Sequence, residues 1–246
     1  MRFRPIAVLR SLAVAALALA CAKNPPAGGP GTYRGVLVGV TEIGIVEVTV
    51  GEAPSGPLPA SGTIETGGTV VILSGTLDRA HASLSLSSTN GYQLAADSRP
   101  TYVIGSYQGP QGSGSFALFL EPADGRPVRL FCGNLVYTSG TATPPLPTYP
   151  FAVTAAPLGY AICVGPGFTW FGSLDASDTL SCQSGSGLFY GNTNADGGNH
   201  WGTGGDNYGT WTVAPCGGGA VDGGVDSGID DAPDAAASVG VDGEMD

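Results

Sequence analysis

Charge is scarce in this sequence: acidic and basic residues make up 12% of 246, where an ordinary soluble domain carries about 25%. Lysine occurs once, at Lys23, and histidine twice, at His81 and His200. A nucleic-acid-binding surface needs clustered Lys and Arg against the phosphates, so that class of partner is excluded. No stretch of 18 consecutive apolar residues exists, and no transmembrane helix is expected. The Gly-x-Ser-x-Gly elbow of serine hydrolases and the Cys-x-x-Cys of metal and redox sites are both missing. No enzyme and no cofactor are expected on these grounds. What is plentiful is glycine, 41 residues, without the Gly-x-y period of collagen. Surface poor in charge is then covered by Ser, Thr, Asn, Gln and Gly, which suits an exported β-protein.

The N-terminus carries Arg2, Arg4 and Arg10 ahead of an uncharged apolar run, residues 11–20. That run is too short to span a bilayer, which takes about 20 apolar residues. A basic start, a short apolar centre and small residues at the end predict a secretory signal peptide over 1–20. Ala18-Leu19-Ala20-Cys21 resembles the lipobox of bacterial lipoproteins, Leu-Ala/Ser-Gly/Ala-Cys, with Ala18 standing where that family carries leucine. The resemblance implies lipid on Cys21 and an envelope address, and Ala22 after the cysteine implies the outer membrane. Plain secretion after Ala18-Leu19-Ala20 is the alternative.

Cysteine parity points the same way. Of Cys21, Cys132, Cys163, Cys182 and Cys216, acylation removes one and leaves an even set for an oxidising compartment. Four cysteines allow three connectivities. The preferred one is nested, Cys132–Cys216 tying the ends of the second unit and Cys163–Cys182 two internal strands.

Composition divides the chain further. Residues 21–31 hold Pro25, Pro26, Gly28, Gly29 and Pro30 and read as a tether, reaching at most about 3.1 Å per residue. At the other end, residues 217–246 carry eight acids, Asp222, Asp226, Asp230, Asp231, Asp234, Asp242, Glu244 and Asp246, with no base and no aromatic. Such a segment buries too little apolar surface to offset its chain entropy, and a disordered acidic tail is expected. Its spacing does not form a calcium loop.

Between them, alternating apolar and polar residues with β-branched and aromatic enrichment predict antiparallel strands. In the first half these fall at residues 33–40, 43–50, 69–74, 83–87, 91–95, 102–107 and 113–120. The fold class is therefore all-β: β-meander units forming one or two small barrels or sandwiches. The halves end alike, residues 103–116 closing on Gly-Ser-Phe116 and residues 201–211 on Gly-Thr-Trp211. Their starts are matched as Tyr33 with Gly35 and Tyr137 with Gly140. Two units are expected, 32–121 and 129–216, joined by 122–128; a single larger barrel is the alternative. The first closing hairpin, Tyr107-Gln-Gly-Pro110 through Gly112 and Gly114 to Phe116, resembles the Tyr-Gly-Pro…Gly-Gly-x-Phe hairpin of bacterial surface lipoproteins of the transferrin-binding type. That resemblance spans about fourteen residues, lacks the family's acidic residue before the glycines, and implies a barrel only.

The best candidate site is Asn192, Asn194, Asp196, Trp201 and Tyr208. Asn192, Asn194, Asp196 and Gly197 imitate the opening of a calcium loop, but the first ligand is an amide and the twelfth position, Thr203, has no carboxylate. No metal is expected. Amide edges beside aromatic faces suit hydroxyl-rich ligands, so a lectin-like role is the alternative function, provided Trp201 is exposed. The main expectation is a non-enzymatic envelope protein. Its partners would be a membrane through the N-terminal lipid and a glycan or another envelope protein.

Overall fold

The computed structural model describes residues 26–138, 146–185, 187–194, 199–202 and 208–217, and over these the chain is all-β. The first eight strands are β1 (Gly31–Gly39), β2 (Ile43–Val50), β3 (Leu58–Thr66), β4 (Thr69–Asp78), β5 (Ser83–Ser87), β6 (Gln93–Ser98), β7 (Tyr102–Gly109) and β8 (Gly112–Leu120). Then come β9 (Arg129–Tyr137), β10 (Thr148–Ala155), β11 (Tyr160–Gly165), β12 (Phe168–Leu174), β13 (Thr179–Ser184), β14 (Gly187–Asn192), β15 (His200–Gly202) and β16 (Tyr208–Pro215). Each strand pairs antiparallel with its sequence neighbour, β8 returns to β1, and β16 returns to β9. Two closed eight-stranded barrels result, and the single larger barrel is set aside. Closure leaves no edge strand among the described residues.

Strand β3 is absent from the sequence expectation. Pro59 and Gly62 interrupt its apolar pattern, yet Leu58, Ala60 and Ile64 all point inward. Proline is tolerated here because it is the second residue of the strand.

Alternation marks the walls that face water. Along β4, Val71, Leu73 and Leu77 are buried while Ile72, Ser74 and Thr76 are exposed. A different pattern runs through β1, β8, β10 and β11, which are buried on both faces. Their second face builds a seam between the barrels from Val36, Val38, Ala117, Phe119, Ala152, Ile162 and Val164, joined by Leu130 of β9. Apolar runs such as Phe116-Ala-Leu-Phe-Leu120 thus have a physical cause: one face fills the barrel, the other meets its neighbour. Two polar atoms in buried positions, Arg34 Nε and Thr154 Oγ1, have no hydrogen-bond partner among the described residues.

The barrels repeat one design. Gly35 on β1 and Gly133 on β9 both lie where a Cβ would strike the neighbouring strand's carbonyl, of Ala117 and Thr212 respectively. Only glycine permits that close approach at a tightly coiled corner. The equivalence pairs Tyr33–Gly35 with Phe131–Gly133. This corrects the sequence match to Tyr137 and Gly140: Tyr137 ends β9, and Gly140 lies outside the described residues. The closing hairpins do correspond. Gly114 faces Tyr107 as Gly209 faces Trp201, and Phe116 and Trp211 are both buried core.

Packed side chains fill both lumens. Barrel 1 holds Tyr33, Leu37, Val46, Val48, Ile64, Leu73, Leu77, Leu84, Leu86, Leu94 and Phe116 among others. Its ends are stoppered. At one, Gly28 is buried with its N–H donating to Ser98 Oγ at 3.0 Å, and the Tyr33 hydroxyl donates to the Gly29 carbonyl at 3.0 Å. Gly28 and Gly29, within the expected tether over 21–31, thus pack on the barrel end, and residues 21–25 lie outside the described residues. Barrel 2 is filled by rings and a disulfide. Phe151 stacks on Phe189 at 4.8 Å, and Trp170 meets Phe189 edge-on at 4.9 Å.

Cysteine pairing is Cys132–Cys216 and Cys163–Cys182. The second bond lies inside the barrel and joins β11 to β13 across the intervening β12, with Cα atoms 6.2 Å apart. Gly172, opposite Cys182 on β12, makes room for it: a Cβ there would press on the Ser181 carbonyl and the Cys182 backbone. The first bond sits on the outer wall near the seam, where Cys216 packs against the inter-barrel cluster.

Candidate functional site

Asn192 and Asn194 sit where β14 leaves the wall, beside the turn joining β12 and β13. Asn192 Oδ1 accepts from the Asn194 N–H at 2.8 Å, and its Nδ2 donates to the Ser177 carbonyl at 2.8 Å. Asn199 closes the loop, accepting the Asn192 N–H at 2.7 Å and donating back to the Asn192 carbonyl at 3.0 Å. Asn194 Nδ2 donates to Asp178 at 2.6 Å, and Asp178 also takes Arg129 at 2.6 Å. Asp178 has a positive φ of 61°, a conformation non-glycine residues adopt only when their surroundings hold them there.

These contacts show what the asparagines do. Their amide nitrogens stitch two adjacent turns together, while Asn192 Oδ1 closes an Asx turn on the Asn194 N–H rather than facing an empty centre. Asp175 acts alike in the next turn, accepting the Ser177 and Thr179 N–H groups at 2.8 and 2.9 Å. The Ser177 hydroxyl, first, and these amides hold its carboxyl below the usual carboxylate range. Among the described residues no three His, Cys, Asp or Glu converge on a metal position. Asp196 lies outside the described residues.

Trp201 and Tyr208 do not form one platform. Trp201 points inward and is 7% exposed, with its ring 4.7 Å from Tyr137 and its Nε1 donating to the Val136 carbonyl at 3.3 Å. Tyr208, on the neighbouring strand, points outward and is 47% exposed. The exposed Trp201 that a sugar platform required is replaced by a core residue, because Gly209 opposite it leaves space that only a large ring fills. His200 is exposed beside it, and its carbonyl accepts Trp211 Nε1 at 3.1 Å. His81 pairs with Asp78 at 2.7 Å on the exposed turn between β4 and β5. That partner raises the His81 pKa, and the pairing lowers that of Asp78.

Sequence reasoning passed over Glu42, in the turn between β1 and β2. It is 7% exposed and caps the other end of barrel 1. Tyr107 donates to its Oε1 at 2.8 Å and Tyr92 to its Oε2 at 3.0 Å. Burial, and then the Glu42 carboxylate, push Tyr92 up to about 12 and Tyr107 higher still. Gly39, Gly109 and Gly114 surround these two rings, each at a spot where a Cβ would strike one of them. The cluster is a stopper rather than an open site. The signal for it was the lone acid in an otherwise apolar hairpin, Val40-Thr-Glu-Ile43.

The class defined by this fold is a tandem of two up-and-down β-barrels with filled lumens. No protein-family model matches the chain, and no curated protein or solved structure matches it.

Proposed function

We propose that this chain is an exported envelope protein, anchored by lipid on Cys21 and acting without catalysis as a structural or binding module. The observation that carries the reading is the pair of disulfides in barrel 2, a feature of oxidising compartments. With four cysteines paired, Cys21 is the odd one and stands directly after the apolar export segment. Lumens packed with side chains suit rigid scaffolding or surface recognition better than carriage of a ligand inside the barrel. An outer-membrane address follows from the lipobox resemblance and Ala22.

Expression of the full chain in a bacterium, followed by fractionation and mass spectrometry of the mature N-terminus, tests the anchor. A diacylglyceryl modification at Cys21, with release of a Cys21→Ser chain from membranes, is the expected result. An unmodified N-terminus, or a Cys21→Ser chain still sedimenting with membranes, overturns it.

A further inference from the structure

Most of the outer wall of barrel 1 over β5–β8 is an array of small uncharged polar groups, with Asp97 as its acid. Cross-strand register aligns Ser85, Ala95, Ser106 and Ser115 in one row and Ser87, Gln93, Gln108 and Ser113 in the next. The β11–β12 hairpin of barrel 2, through Pro166 and Gly167, overhangs this floor, and together they enclose a cleft of about 840 Å³. A second hollow of about 670 Å³ continues it past Ser83, Ile104 and Thr169. Beyond those residues, on the same two strands, Tyr102 and Phe171 meet edge to face at 5.3 Å.

Ser115 is the telling residue. It is 7% exposed and lines the cleft, and its hydroxyl is not among the fully buried atoms that lack a partner. Water in the cleft therefore reaches it, and a ligand hydroxyl that reproduces that water's hydrogen bond can take its place. The hydroxyls of Ser85, Ser87, Ser106 and Ser113 and the amides of Gln93 and Gln108 line the same cleft.

We propose that this inter-barrel cleft binds an uncharged, hydroxyl-rich chain, a neutral glycan. Among the described residues the larger hollow is lined by no charged group and the continuing one by a single carboxylate, Asp97, which leaves an anionic ligand without a counter-ion. A net charge of −11 further repels polyanions. An extended peptide would seek a free strand edge to pair with, and both barrels are closed. Serine hydroxyls and glutamine amides donate and accept hydrogen bonds alike, as sugar hydroxyls do, and the groups within each row repeat at the strand spacing of about 4.8 Å. The inference rests on the binding role proposed above and is independent of lipid at Cys21, so it survives loss of the anchor.

The test is titration of the full chain with cello-, malto-, xylo- and chitohexaose, with hexagalacturonate as charged comparator, followed by calorimetry and amide NMR shifts. At least one neutral probe binds, shifting the amides of Ser106, Ser115 and Gly167, while hexagalacturonate does not. Ser106→Asp and Ser85→Asp, both at exposed positions, weaken that binding about tenfold or more, equivalent to about 1.4 kcal/mol. Tyr208→Ala, on barrel 2, changes it less than about twofold. Silence of all four neutral probes overturns the proposal. So does binding that the two aspartate variants leave intact, or a preference for an extended peptide over every glycan.

Discussion

Trp201 faces Gly209 across the β15–β16 ladder, and its indole occupies the place where a side chain on Gly209 would stand. Tyr107 covers Gly114 in the same way in barrel 1. In both hairpins the glycine lets a neighbouring carbonyl approach, of Val136 or Val38, and the cross-strand ring shields the backbone thus bared. An aromatic opposite a glycine is a recurrent means of turning a barrel corner.

Gly209→Val destabilises the protein by about 3 kcal/mol or more, since the new side chain meets both backbone and indole and neither can yield cheaply. Gly114→Val behaves alike. Urea denaturation followed by far-UV circular dichroism measures both. A change below about 0.5 kcal/mol would show that the corner can open.

Loss of the two disulfides differs in size. Their sequence separations are 84 for Cys132–Cys216 and 19 for Cys163–Cys182, which gives about 4.5 and 3 kcal/mol in the chain-entropy model. Paired Cys→Ser variants of the outer bond should therefore lose more stability than paired Cys→Ala variants of the inner one. The reverse order would mean that the cavity left inside barrel 2 outweighs loop closure.

Alkaline pH weakens barrel 1. The folded-state pKa of Tyr92, about 12, and that of Tyr107, higher, exceed the value near 10 of an unfolded tyrosine. Their contribution is complete below pH 10 and is lost as pH rises through the folded values. Urea midpoints measured between pH 8 and 12 fall steeply above pH 10, and absorbance titration shows at least two late-titrating phenols. Glu42→Gln lowers stability at neutral pH by about 1–3 kcal/mol, because one phenol then faces an amide N–H₂, and it flattens the alkaline decline.

Thr154→Val stabilises. Thr154 is fully buried, and its hydroxyl has no hydrogen-bond partner among the described residues. Valine keeps the shape and removes the unsatisfied group, worth about 1 kcal/mol or more. A lower thermal midpoint in this variant would reveal a partner for the hydroxyl.

Particular residues show where the sequence was readable. Strands β2 and β5 follow from strict alternation, and the Gly-Ser-Phe116 and Gly-Thr-Trp211 endings announced the paired hairpins. β3 was illegible because Pro59 and Gly62 break the very pattern that reveals a strand. Trp201 was misread as a possible platform, since nothing local tells an aromatic that covers a glycine from one that faces water. Glu42 looked like an ordinary turn acid; its two phenols come from 50 and 65 residues away. The cleft left a trace in the alternate serines at 83, 85, 87, 113 and 115, but serine alternation alone reads as a solvated wall.

By itself, then, the sequence determined the all-β class, the two-unit plan and the cysteine count, because alternation, turn residues and parity are local properties. Only the tertiary structure decided that each unit closes, that a disulfide can cross β12 over Gly172, and that the mostly uncharged wall of one barrel lies under a hairpin of the other. Those facts depend on strand coiling and on which residues long-range pairing brings together.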